Sequence, residues 1–364
     1  MSFTSDASIE RVALQAIADG VSEARKSLPV APLVGIDPSL ATSLWQKAIR
    51  RGDVEWALRA ATGIHQRDPD YAWRRLRIVA LEEVSVADLV LVSQVLAIAG
   101  KQRLRASLGD GDVLGYFVTR LALSAKCRTP CDMLSWLDPV GGPASLDAML
   151  ASTERMASGD LDAIRGAATV WRDLAPQSVR VAGRWVTTGR RDPRRRDALL
   201  EQIDAPPILR YVVRKGHGTY ALNALSVPAF QLASVHRAWR TCRDPHPESL
   251  ELIAGIPAYA YCMYSAPGRE ALRRWLRHEG RHLDDHLQAK DRLGVLENLL
   301  FYVEGDFCAR RLDIAHGAAI EYASECALLQ RYGVRPEQVP AFKQAVQASL
   351  ASINVMRRQV MEID

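Results

Sequence analysis

The sequence predicts an all-α, multi-helical protein. Three observations predict it. Apolar residues recur at the three-to-four spacing of a helix along nearly the whole chain, and stretches alternating with period two are scarce. Helix punctuation is also dense, with Asp-Pro starts and Gly stops between the apolar stretches. Across 364 residues, 48% are hydrophobic and 24% charged, so material for a sizeable core is present. That length accommodates about two or three domains.

Asp6 to Lys26 reads as a first helix, and the proline-rich stretch Leu28 to Pro38 as an extended linker, because proline biases itself and its predecessor away from helix. Gly52 stops the next helix. Asp53 caps the one after it by offering a side-chain oxygen to free backbone amides. Asp68-Pro69 opens a third, whose buried stripe is Trp73, Leu76, Ala80 and Val84, with Arg74, Arg75 and Arg77 off that stripe. Val86 to Ala99 and Val113 to Lys126 follow as strongly apolar helices, and Ala144 to Leu174 resumes the pattern. Arg184 to Thr188 is the one stretch with strand character. A helix is expected to begin at Arg194. Beyond the break at Asp244-Pro245-His246-Pro247, helices are expected over 248–264, 269–290, 291–312, 314–332 and 336–361.

The clusters of turn formers divide the chain into an N-terminal helix and linker (1–38), a helical domain (39–137), a helical region with a basic loop (144–243) and a C-terminal helical domain (247–364). The longest uncharged run, Leu252 to Gly268, is interrupted by Pro257 and Pro267, so no membrane span is expected. The N-terminus lacks the basic start and apolar core of a secretory signal, which predicts a cytoplasmic protein. Six cysteines without a second close couple to match Cys127 and Cys131 fit reduced, buried thiols and not a zinc ribbon.

Four segments in order resemble one family. They are Trp45-Gln46-Lys47-Ala48-Ile49-Arg50 with Asp53-Val54-Glu55-Trp56-Ala57-Leu58; Asp68-Pro69-Asp70-Tyr71-Ala72-Trp73-Arg74-Arg75-Leu76; Ala80 to Asp88; and Leu121-Ala122-Leu123-Ser124-Ala125-Lys126. Together they resemble the helical collar that follows the motor in the RarA/MgsA (Werner-helicase-interacting) family of replication–recombination ATPases. Ser85 stands where that family has glycine, and Leu89 where it has proline. The resemblance covers about residues 39–134. It implies a clamp-loader-like collar used for oligomerisation, in proteins working with replication or recombination partners on DNA. ATP hydrolysis is not expected to carry over, because no Gly-x-x-x-x-Gly-Lys-[Ser/Thr] phosphate cradle occurs in the sequence.

Arg277-His278-Glu279-Gly280-Arg281-His282 contains the His-Glu-x-x-His pattern. On a helix, His278 and His282 share a face and could bind zinc, with Glu279 polarising a water and Glu297, Glu304 or Glu321 completing the site, Glu304 being the best placed in sequence, which would make the protein a zinc-dependent hydrolase. The competing reading is a basic amphipathic helix, since Arg273, Arg277 and Arg281 recur every four residues and Gly280 weakens a helix.

The +5 net charge of the chain is matched by one segment, Arg180 to Asp197, where seven arginines face two aspartates. Guanidinium groups grip phosphates through paired hydrogen bonds, and aromatic rings stack on unpaired bases. Arg180, Arg184, Arg190, Arg191, Arg194, Arg195 and Arg196, followed by Arg214 and Lys215 and flanked by Trp171, Trp185 and Tyr211, are therefore the expected nucleic-acid-binding residues. The sequence thus leads to a non-catalytic protein of DNA replication, repair or mobile-element maintenance that needs no cofactor. It would assemble with itself or a partner through the collar-like part and touch DNA through arginines. A pure protein-interaction scaffold is the remaining alternative.

Overall fold

A computed structural model describes residues 5–24, 30–137, 152–175, 177–181, 184–189, 192–216, 221–235, 239–244, 251–279 and 292–362. The protein is all-α apart from short strands. In chain order the first helices are α1 (Asp6–Ala24), α2 (Pro38–Arg51), α3 (Val54–Arg67), α4 (Pro69–Val79), α5 (Leu89–Ala99), α6 (Gln102–Leu108), α7 (Asp110–Leu123) and α8 (Thr129–Trp136). Next come α9 (Ser152–Ala157), α10 (Leu161–Asp173), the hairpin β1 (Gln177–Val181) and β2 (Arg184–Thr188), then α11 (Pro193–Gln202), α12 (Pro207–Lys215) and α13 (Leu222–Val235). The last are α14 (Ala266–His278), α15 (Arg292–Leu300), α16 (Gly317–Gln330), α17 (Val339–Ala348) and α18 (Leu350–Met361).

Two compact units are each assembled from three separate stretches: Met1–Leu28, Trp73–Cys242 and Arg311–Ser324 in the first, Pro29–Ala72, Arg243–Arg310 and Glu325–Asp364 in the second. This division differs from the expected domains. The N-terminal helix belongs with the first unit, and the stretch 39–137 is cut within α4. The reason is burial. The buried face of α2, against which α3 packs, is covered by residues 258–260 and α14, more than 200 residues later in the chain, while the stretch Trp73–Cys242 packs in the first unit.

In the first unit α5 is apolar all round and is buried at every position except Val90. α1 lays the stripe Ile9, Ala13, Ile17 and Val21 inward, and α7 and α12 also pack on this region. Between α4 and α5 the helix widens into a π turn, Ala80–Val84, before a 3-10 turn, Ser85–Asp88. A π turn inserts an extra residue per turn and re-aims side chains. Here Glu83 ends fully buried. Asp88 then caps α5, accepting from Leu91 N at 2.9 Å. The strand expected at Arg184–Thr188 is present and pairs antiparallel with Gln177–Val181, Arg180 opposite Trp185.

In the second unit the expected punctuation is realised. Gly52 closes α2 with φ 73°, Asp53 accepts from Trp56 N at 3.2 Å, and Asp68 accepts from Tyr71 N at 2.8 Å. The core joins Leu272 and Trp275 of α14, Leu296 and Leu299 of α15, Leu329, Phe342, Ile353 and Met356. The helix expected over 248–264 is not formed. Leu252–Ile253 and Ile256–Pro257 pair as a tiny hairpin, followed by a 3-10 turn at Ala258–Ala260. Ala254 and Gly255 take φ 50° and 75°, a tight two-residue turn, and Pro257 cannot continue a helix. The helix expected over 291–312 ends at Leu300 with a π turn, Phe301–Gly305. The break at 138–143, and the part of the 269–290 helix beyond 279, lie outside the described residues.

The extended segment at 30–34 lies on α3, with Leu33 N donating to Arg59 O at 2.9 Å. Gly63 makes this possible, because a Cβ there would stand 2.1 Å from Leu33 O and 3.0 Å from its carbonyl carbon. Backbone cannot swing aside as a side chain can. Gly63→Ala is expected to destabilise the protein by about 1–3 kcal/mol in chemical denaturation. Unchanged stability would mean that the segment does not lie on this helix.

Candidate functional site

The basic segment enters α11 through Asp192, which accepts from Arg195 N at 2.9 Å. Helical spacing then sorts three consecutive arginines. Arg196 falls on the buried face with Leu199 and Leu200, whereas Arg194 and Arg195 are exposed in the first turn. Arg196 Nε lies 3.0 Å from Asp197 Oδ1. Arg214 lies 3.2 Å from both Asp197 and Asp6, and Lys215 2.7 Å from Glu10. Burial opposes ionisation of Asp197, but hydrogen bonds from Arg196 and Arg214 hold it below the ordinary carboxylate range. Burial likewise opposes ionisation of Glu10, and Lys101 and Lys215 outweigh it.

Three of the expected phosphate-binding cations, Arg196, Arg214 and Lys215, are therefore engaged in ion pairs within their own unit. The cause is helical geometry together with acidic residues contributed by α1. Arg194 and Arg195 remain outward. Arg180 and Arg184 sit on the hairpin strands, Arg184 opposite Val181 at its closed end. Arg190 and Arg191 lie outside the described residues.

The His-Glu-x-x-His motif does not run along one described helix. α14 ends at His278, and Glu279 is its C-cap. Both are exposed, and His282 lies outside the described residues. Glu304, the expected third ligand, instead meets the guanidinium fork of Arg357, with Oε1 3.2 Å from Nη1 and Oε2 2.8 Å from Nη2. A carboxylate so occupied is a structural partner. Among the described residues no three His, Cys, Asp or Glu side chains are grouped to hold a metal ion.

The densest polar chemistry lies inside the second unit and was not legible as a site in the sequence. α2 is the organising element. Ser43 and Lys47, four residues apart, share its buried face. Ser43 Oγ donates to Ala260 O at 2.8 Å and lies 3.3 Å from Cys262 Sγ. Lys47, 3% exposed, donates to Tyr259 O at 2.6 Å and is within hydrogen-bonding reach of Cys262. One turn on, Arg50 donates to Gly305 O, and Arg51 donates to Glu304 O at 2.5 Å while lying over the Tyr259 ring at 4.3 Å. Arg357 completes the cluster, donating to Tyr261 O at 2.6 Å and to Asn354 Oδ1 at 2.6 Å.

The cationic run Lys47, Arg50, Arg51 reads in sequence as a solvated or phosphate-facing surface. In the structure it binds backbone carbonyls. Burial pulls Lys47 below its ordinary range, against opposing pulls from Cys262 and Glu304. Burial also opposes ionisation of Cys262, yet the charge and hydrogen bond of Lys47, with the Tyr264 N–H, outweigh it and hold the thiol below its ordinary range. The one local signal was the Ser43–Lys47 spacing. The partners 259–262 are more than 200 residues away, where no pattern announces them.

Among the described residues no single helix is long and apolar enough to cross a membrane. No family model, no curated protein and no solved structure matches the chain.

Proposed function

We propose that this is a non-catalytic assembly protein that contacts nucleic acid. The observation that carries the reading is the pair Arg194 and Arg195, exposed on the first turn of α11 while neighbouring cations are tied to carboxylates. Two guanidinium groups at the positive end of a helix dipole suit phosphate. The collar resemblance supports the class of partner, a DNA replication or recombination protein or a second copy of the chain. Ser85, where the resembled family has glycine, takes φ 43°, a conformation that favours glycine. The segments carrying the resemblance divide between the two units, so assembly through that region would use two surfaces and not one domain.

The test is binding of labelled single- and double-stranded DNA to the full chain over a range of salt. Each phosphate contact contributes about 0.9 to the log–log salt slope on duplex, so Arg194→Ala/Arg195→Ala is expected to weaken binding and flatten that slope by about 1.8. Arg196 is left intact, because it is buried against its own unit. An unaltered slope removes these arginines from the interface. Absence of DNA binding by the unaltered protein sinks the reading and leaves a scaffold acting on proteins alone.

A further inference from the structure

We propose that Cys262 and Lys47 are a covalent modification site: under peroxide the two side chains join through a sulfur–nitrogen bond. The observation is the approach of a nucleophilic thiol and an amine inside one unit, fixed on both sides by backbone. Lys47 Nζ is anchored on Tyr259 O at 2.6 Å. Cys262 Sγ is anchored by Tyr264 N–H at 3.3 Å and by Ser43 Oγ at 3.3 Å. Both belong to rigid elements, α2 on one side and the turn between the 3-10 helix and α14 on the other.

Two other thiols differ. Burial pushes Cys127 up to about 12 and raises Cys131 as well, so neither is prepared to react. Cys262 has the Lys47 cation and the Tyr264 N–H aimed at its sulfur, with Ser43 Oγ 3.3 Å away. The thiol is 2% exposed, but the residue that donates to it, Tyr264, is 63% exposed and lines a groove of about 750 Å³ with Ser39 and Thr42. Cys262 itself does not line that groove, so the oxidant the proposal requires is a small neutral one, hydrogen peroxide.

The chemistry balances in two steps. The Cys262 thiolate attacks one oxygen of hydrogen peroxide; the O–O bond breaks, the sulfur is oxidised to sulfenic acid, and the peroxide is reduced to water after taking up a proton. Oxidation removes the negative charge that favoured the Lys47 ammonium. Glu304 remains nearby, but Arg50 and burial both act to lower the lysine pKa, so the free amine becomes accessible. Its lone pair then attacks the sulfenic sulfur, the S–O bond breaks, and hydroxide departs with the amine proton as water. This condensation is that of a sulfenic acid with a nearby nitrogen, and it competes with further oxidation because the amine is already in place. The protein has lost one pair of hydrogen atoms, and a thiol reductant restores both side chains.

The test uses the full chain and hydrogen peroxide, followed by denaturation, alkylation of free thiols, trypsin digestion and mass spectrometry. The expected result is a peptide joining the Lys47 and Cys262 segments, lighter than their sum by one pair of hydrogens. Cleavage after Lys47 should be lost and should return on reduction. Lys47→Arg keeps the charge but is expected to abolish the link and to leave Cys262 as irreversible oxyacids. Should that variant fail to fold, the same treatment of the unaltered protein unfolded in urea serves, since the link should then be lost. Recovery of Cys262 as an unlinked thiol or oxyacid beside a free Lys47 would overturn the proposal. So would equal cross-linking in the unfolded chain.

Discussion

Arg357→Ala is expected to lower the free energy of unfolding by about 3–5 kcal/mol in chemical denaturation. Arg357 is fully buried, and its planar fork meets both oxygens of Glu304 while the same Nη1 and Nη2 also donate to Asn354 Oδ1 and Tyr261 O. Truncation removes all of these at once. It strands a carboxylate that is largely out of water, along with a main-chain carbonyl that has lost this donor. The Glu304 side chain keeps an exposed edge of 15%, which places the expected loss toward the lower end of that range. A loss well below 1 kcal/mol would show that solvent replaces the fork and that the cluster does not hold the second unit together.

The same pair fixes a pH dependence. Burial alone would raise the Glu304 pKa, but Arg357, Lys47 and Arg51 outweigh it and lower the pKa below its unfolded value. A group with a depressed folded pKa contributes stability above its unfolded pKa, and that contribution is lost as pH falls through the folded value. In Arg357→Ala the largest opposing charge is gone, so burial gains ground against Lys47 and Arg51 and protonation of Glu304 becomes easier. The stability gap between the unaltered protein and the variant should therefore narrow as pH falls from neutrality past about 4, the ordinary glutamate range. A gap independent of pH would separate the effect from Glu304 and assign it to packing.

How much of this was legible in sequence depends on the range of the interaction. Caps and stops are local, so Gly52, Asp53 and Asp68 act as read, and α1 and the 184–188 strand appear where expected. The 248–264 stretch misled because its apolar run, Leu252 to Gly268, matches a buried helix in composition, while the Ala254–Gly255 turn and Pro257 break it. Domain limits misled for a different reason. A turn-rich stretch marks where the chain can bend and says nothing about which distant segment covers an apolar face. The arginines divided by the same logic: helical period decides that Arg196 turns inward and Arg195 outward, but only the fold brings Asp6 and Glu10 to Arg214 and Lys215. The Lys47–Cys262 contact is the extreme case, non-local on one side and unmarked on the other.

Arg128→Met is expected to cost the first unit about 3–5 kcal/mol, and Glu83→Leu in the same chain is expected to return most of it. The π turn at Ala80–Val84 carries Glu83 into the interior, where it is fully buried and lies 3.3 Å from Arg128 Nη1 through both oxygens. The same residue's carbonyl accepts from Cys127 N at 2.8 Å, and Lys126, itself buried, donates to Ala122 O at 2.9 Å. This short run from Lys126 to Arg128 therefore pins the loop after α7 onto the π turn through charge and backbone together. Removing one charge leaves the other in a low-dielectric site with its principal counter-charge gone. Removing both replaces a costly desolvated pair with apolar volume and leaves the Cys127–Glu83 backbone bond intact. The double-mutant cycle distinguishes two roles for the pair. Strong non-additivity, with the double variant near the unaltered stability, means that the ions specify the geometry of the turn and contribute little net stability. Additive losses would mean that each side chain is held by different neighbours and that the pair is not the link between α7 and the π turn.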